Sequence, residues 1–227
     1  LSNEPTRTNS PNHSERHGMN IEPHLQRLRH IAARILGSPI QIELDHMVGL
    51  KLHESCAACW TSNLSDDRQS IVIRAQGLPS SVREAHIVLN SLVAHELGHA
   101  VLQGQGPTKA DFAGLEKIVA THIGEWPAHF GDIPWLGHDA RFIRGMIHVG
   151  HRLSNQGLSL CMPAAFDHRS YGLSHIDGYV EALGDEPATN DWLPIIEALD
   201  RPMPAEFWEL WGRDVATSLG LNCSKKD

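Results

Sequence analysis

Residues 89–106 read LNSLVAHELGHAVLQGQG, and the reading of this stretch decides the fold. Leu89, Leu92, Val93, Leu97, Val101 and Leu102, with Ile87 and Val88 just ahead of them, cover most of the circumference of a helix. That distribution marks a central, buried helix rather than a surface one. Ser81 with Glu84 three residues later makes a capping-box pattern, and Gly104 stands where a left-handed C-cap is expected. The spacing therefore predicts a helix over residues 82–103. Inside it, His95 and His99 lie four apart, so their rings project from one side, a turn from each other.

Two imidazoles at that spacing suit zinc, and Glu96 flanks them without being a ligand. From there it can take a proton from a metal-bound water whose pKa the ion lowers toward about 7. In a chain with 16 histidines the five letters HELGH alone are weak. Their setting strengthens them. They fall on the best-bounded helix of the chain, after a strand, among apolar residues where unpaired imidazoles and a carboxylate are costly. Gly98 adds to this, because a glycine inside a helix costs about 0.5–1 kcal/mol relative to alanine. Close approach of another element to the motif would account for it.

Working outward, residues 1–20 are rich in Asn, Ser, Pro and charge and poor in apolar side chains, the composition of a flexible tail. LQRLRHIAARILG spaces Leu25, Leu28, Ile31, Ala32 and Ile35 as an entry helix, stopped by Gly37 and Pro39. IQIELD (40–45) and SIVIRA (70–75) are short and β-branched and predict two strands of a small sheet. Beyond the motif helix come a weaker amphipathic helix over 111–123, a Gly/Pro/Trp-rich loop, and a helix from His138 to about Leu153. Residues 154–191 have the content of long loops, with a short helix at HIDGYVEAL. PAEFWELWGRDVATSLG predicts a docked C-terminal helix with Phe207, Leu210, Trp211, Val215 and Leu219 on one face. The expected class is α+β, mostly helical, with a small sheet packed on the motif helix. The domain plan is a tail (1–20), a core (21–155) and a C-terminal segment (156–227) belonging to the same domain.

The strand SIVIRA followed by AHELGHAVL resembles the core of the zincin metallopeptidases over roughly residues 70–155. The resemblance implies one catalytic zinc ion, peptide hydrolysis, His95 and His99 as ligands, Glu96 as general base, and a sheet edge that holds an extended substrate. A catalytic zinc takes a third protein ligand and keeps a position open. Position 105 is Gln, which rules out the pattern with a third histidine six residues on. His138 is the favoured third ligand, because GHDARFIR is similar to the segment carrying that histidine in SprT-like zincins. Glu125, Glu116 and Asp139 stay open as alternatives.

The formal charge of −8 argues against direct, sequence-independent nucleic-acid binding. The apolar runs stop well short of the roughly 20 residues of a membrane span. Four cysteines without a dense pattern, and no leader-like N-terminus, point to a reducing, cytoplasmic setting. His53, Cys56 and Cys59 in HESCAACW are read as buried small residues or a loop pair, the competing reading being a second zinc site. His148 and His151 lie largely off the apolar face of Phe142, Ile143, Met146 and Ile147, which assigns them solvent or interface roles. Arg141, Arg144 and Arg152 read as a solvated face. His168, Tyr171, His175 and Tyr179 are candidates for stabilising an oxyanion. Together these features predict a zinc metallopeptidase acting on a peptide or protein substrate. The alternative is a zinc-holding module of the same fold that binds partners and cleaves nothing.

Overall fold

A computed structural model describes residues 20–45, 58–63, 68–75, 78–102, 138–165 and 176–218. Residues 1–19 of the tail, the helix expected over 111–123, His53, Cys56, Glu116, Glu125, His168, Tyr171 and His175 lie outside these residues. Helix α1 (Glu22–Leu36) buries Leu25, Leu28, Ile31 and Ala32, and ends at Gly37 with φ of 72°. That left-handed conformation suits a residue without Cβ. The chain turns there into β1 (Ile40–Asp45), whose Ile40 and Ile42 face the core. β1 pairs in parallel with β3 (Arg68–Arg74), placing Ile42 beside Ile71.

The sheet has a third strand that the sequence reading missed. β2 (Ala58–Asn63) pairs antiparallel with β3, giving the order β1-β3-β2. It runs through the cysteine-containing stretch, where Trp60 and Thr61 are good strand formers. Cys59 lies on this strand, half-buried.

Helix α2 (Val82–Val101) packs on this sheet and is the buried helix expected from its pattern, with Leu89, Val93, Ala94 and Leu97 fully covered. Ser81 takes the N-cap position, but its side chain makes no capping bond, so the expected capping box is not formed. Helix α3 (Ala140–Asn155) crosses α2 and is capped by Asp139, whose Oδ1 accepts from the Phe142 N–H at 2.8 Å. Then follow α4 (Met162–Ala165), α5 (Ile176–Leu183), α6 (Glu186–Thr189), α7 (Ile195–Leu199) and α8 (Ala205–Ser218). The class is α+β and mostly helical. No helix among the described residues is long and apolar enough to cross a membrane.

The C-terminal helices correct the reading of α3. They cover its second face, so every residue from Phe142 to Gly150 is buried. Arg144, expected in solvent, is 1% exposed. Its Nε donates to Glu186 Oε1 at 2.7 Å and its Nη1 to the Arg201 carbonyl at 2.6 Å. His148, expected at solvent or an interface, is instead fully buried within the fold, with Nε2 at 2.7 Å from the same Glu186 oxygen. Arg152 donates to the carbonyls of Asn190 and Leu193. Tyr179 is buried and its hydroxyl donates to Asp214 Oδ2 at 2.7 Å, which ties α5 to α8 and removes it from the oxyanion candidates.

Burial alone would raise the Glu186 carboxyl, but the bonds from His148 and Arg144 overcome it and hold the pKa below its ordinary 4.5. A folded pKa below the unfolded one adds stability that is present above about 4.5 and lost as the pH falls through the folded value. Glu186→Gln is expected to lower unfolding free energy by about 3 kcal/mol at pH 7, since it leaves the Arg144 charge buried without its carboxylate. Urea melts at pH 7 and at pH 3 should show the gap between the two proteins closing at the lower pH.

Candidate metal centre

The three histidines favoured from the sequence come together. His95 and His99 project from one side of α2, and His138 sits immediately before the cap of α3. Their ligand nitrogens all lie within 4.8 Å of one another. His95 Nε2 and His138 Nε2 are 3.1 Å apart. Two nitrogens on a tetrahedral zinc are separated by about 3.3 Å, given Zn–N bonds of about 2.0–2.1 Å, so the cluster is close to the spacing that an ion needs. Three imidazoles also form a donor set suited to a borderline cation.

Protonation favours the same use. Burial, then the neighbouring His95, brings the His99 pKa down to about 3. Burial with the two neighbouring imidazoles brings His138 down to about 2. Rings that stay neutral across the physiological range do not need to lose a proton before binding a cation.

Each ring is held from behind. Phe142, on the first turn of α3, stacks on His99 with centroids 4.3 Å apart and meets His95 and His138 edge-on at 5.1 and 4.7 Å. Gly98 makes this possible. A Cβ at that position would sit 2.9 Å from Phe142 Cε2 and 3.3 Å from Met146 Cβ, the close approach that a mid-helix glycine suggested.

His95 is further fixed by residues that the sequence reading passed over. Its Nδ1 lies 2.6 Å from the Ala165 carbonyl, which can only accept, so Nδ1 carries the proton and the lone pair is on Nε2, facing the other histidines. Ala165 ends a strap, residues 159–165, that runs along α2. Asn90 Nδ2 donates to the Ser159 carbonyl at 2.8 Å, and the Cys161 N–H donates to Ser91 Oγ at 2.9 Å. The signal was present in the sequence: Asn90 and Ser91 are polar residues in the middle of an otherwise buried apolar helix, where each needs a partner.

Glu96 stands beside the cluster, 6% exposed, and its Oε2 accepts the backbone N–H of Trp60 at 2.7 Å. Burial pushes its carboxyl up to about 7, against the Trp60 bond, which lowers it. The Trp60 N–H is thus directed at α2 rather than at β3. Asp139, one of the alternatives for third ligand, caps α3, and His95, His99 and His138 form the metal-capable group among the described residues.

Two substitutions test how the site is built. Gly98→Ala should destabilise the fold by about 1–2 kcal/mol despite alanine's better helix propensity, because the added methyl overpacks Phe142; chelator competition should show weaker metal retention. Ser91→Ala leaves the Cys161 N–H without its acceptor and should reduce stability by about 1–2 kcal/mol, with metal affinity falling about tenfold through the loosened His95. Comparison with protein-family models, with curated proteins and with solved structures gives no match to this chain.

Proposed function

We propose that the protein is a zinc-dependent peptidase of the zincin type, with His95, His99 and His138 holding the ion and Glu96 acting as general base. The observation that carries this reading is the placement of a buried carboxylate on the helix that bears two of the three converging imidazoles. A site that only held a metal for structure would favour a fourth protein ligand and has no use for the carboxylate. When bound, zinc supplies a Lewis acid that polarises the scissile carbonyl and acidifies water.

The chain's own residues do the rest. Glu96 takes the proton from the attacking water as the hydroxyl adds to the carbonyl carbon, and then delivers it to the amide nitrogen as the C–N bond breaks. The Trp60 N–H holds the carboxylate in position through both transfers. β2 lies at the edge of the sheet among the described residues, and residues 58 and 62 share the outward alternation of Trp60. A peptide laid along that edge in extended form would pass beside Glu96, which supports a peptide or protein substrate. The acidic balance of the chain argues against recruitment through direct nucleic-acid binding.

Metal analysis of the purified chain should give one zinc per molecule, with occupancy lost in His138→Ala. Glu96→Gln should keep the zinc and lower cleavage of a quenched-fluorescent peptide library by at least about a hundredfold. Absence of stoichiometric zinc, or full activity in Glu96→Gln, would overturn the reading.

A further inference from the structure

A separate cavity of about 430 Å³ opens between the first turns of α1 and α2 and the turn at 157–159. Its volume falls within the range of small-ligand pockets. Four basic side chains line it, and they come as two pairs at i, i+3 spacing: His24 and Arg27 on α1, Arg83 and His86 on α2. Among the described residues no carboxylate lines it, in a chain whose net charge is −8. The larger cavity of about 790 Å³ beside α7 differs in this respect, because its Arg141 and Arg152 already face Asp200 and Asp191.

The chemistry within the smaller cavity is well defined. The His24 and His86 rings stack with centroids 3.8 Å apart and planes 4° from parallel. Asn90 donates its amide N–H to the Ser159 carbonyl, so its Oδ1 is an acceptor, and the His24 Nε2 at 2.7 Å must be a donor. Protonation of His24 therefore occurs at Nδ1. Arg27 gives one N–H to the Gln156 carbonyl, whereas the Arg83 guanidinium and the His86 ring nitrogens have no hydrogen-bond or ion-pair partner among the described residues.

We propose that this cavity binds a tetrahedral oxyanion of the phosphate or sulfate class, held by the guanidinium groups of Arg27 and Arg83 and by the imidazoles of His24 and His86. Arginine forks match the oxygens of such an anion, and two stacked imidazolium rings repel unless an anion offsets their charge. Burial holds His24 below its ordinary pKa, with the Asn90 bond opposing and the nearby His86 and Arg27 adding to the effect. The charged or titratable groups facing His24 are Arg27 from its own helix and His86 from α2; Asn90 and the Ser159 carbonyl are neutral. An anion favours the charged form of His24, so the His24 pKa rises on binding and affinity grows as the pH falls through it. The proposal does not rest on the metal centre or on the reaction proposed for it.

The test is to follow the imidazole NMR signals of the full chain, assigned with His24→Gln and His86→Gln, while sulfate replaces chloride at constant ionic strength. Sulfate keeps its charge from pH 5 to pH 8, so any pH dependence belongs to the protein. The expected result is saturable shifts of His24 and His86, a raised pKa for His24, and affinity that tightens by up to tenfold per pH unit for each proton taken up. Arg83→Gln, a change at an exposed side chain, should weaken binding by about tenfold or more. Inorganic phosphate and a phosphoserine peptide are then compared. Equal affinity identifies the free ion as the ligand, and tighter peptide binding identifies a phosphorylated chain. Shifts that stay linear and match those in chloride, or affinity unchanged in Arg27→Gln and in Arg83→Gln, would overturn the proposal.

Discussion

The contact of Phe142 with Gly98 sets the separation of α2 and α3, and the histidine cluster depends on that separation. A side chain at position 98 would meet the Phe142 ring at 2.9 Å, so the two helices can approach this closely only over a glycine. The approach brings His138, four residues before Phe142, over the pair on α2. Phe142 then serves as the apolar floor against which all three rings are oriented. Cores are packed too densely for such a geometry to be left to chance. A small displacement of α3 would alter the position of one donor relative to the other two.

Around that contact the buried polar groups of α2 are each committed to a partner. Asn90 and Ser91 hold the strap 159–165, His95 is turned by the last carbonyl of that strap, and Glu96 is held by the Trp60 N–H of β2. One helix therefore takes its support from two parts of the chain, the strap and β2. The arrangement fixes ring orientation and carboxylate position, as the proposed metal binding and proton transfer both require.

The C-terminal helices show where sequence patterns stop being informative. Ile143, Met146 and Ile147 marked one packing face of α3, and the remaining face, with Arg144, His148 and Arg152, looked solvated. Those polar residues are instead the means by which α3 is buried a second time, through Glu186 and the carbonyls of Asn190, Leu193 and Arg201. Charge on a helix face does not distinguish water from a partner carboxylate, because both satisfy it. β2 escaped for a related reason: in a short strand on one edge, Ala58 and Cys59 carry little of the alternation that reveals longer strands.

By itself the sequence determined what is local. The periodicity of Leu89 to Leu102 made α2 a buried helix, the four-residue spacing placed His95 and His99 on one side of it, and Gly37 with Pro39 ended α1. Even Gly98 announced a close neighbour through its conformational cost. Tertiary structure decided which neighbour it was, brought His138 up to the two histidines, and set the Trp60 N–H against Glu96. Those choices rest on contacts such as Gly98 with Phe142, Glu96 with Trp60 and His95 with Ala165, between segments 36 to 70 residues apart. Helical periodicity repeats every few residues and is written along the chain, whereas packing of remote surfaces follows from the shape of the whole core, which no short window of sequence contains.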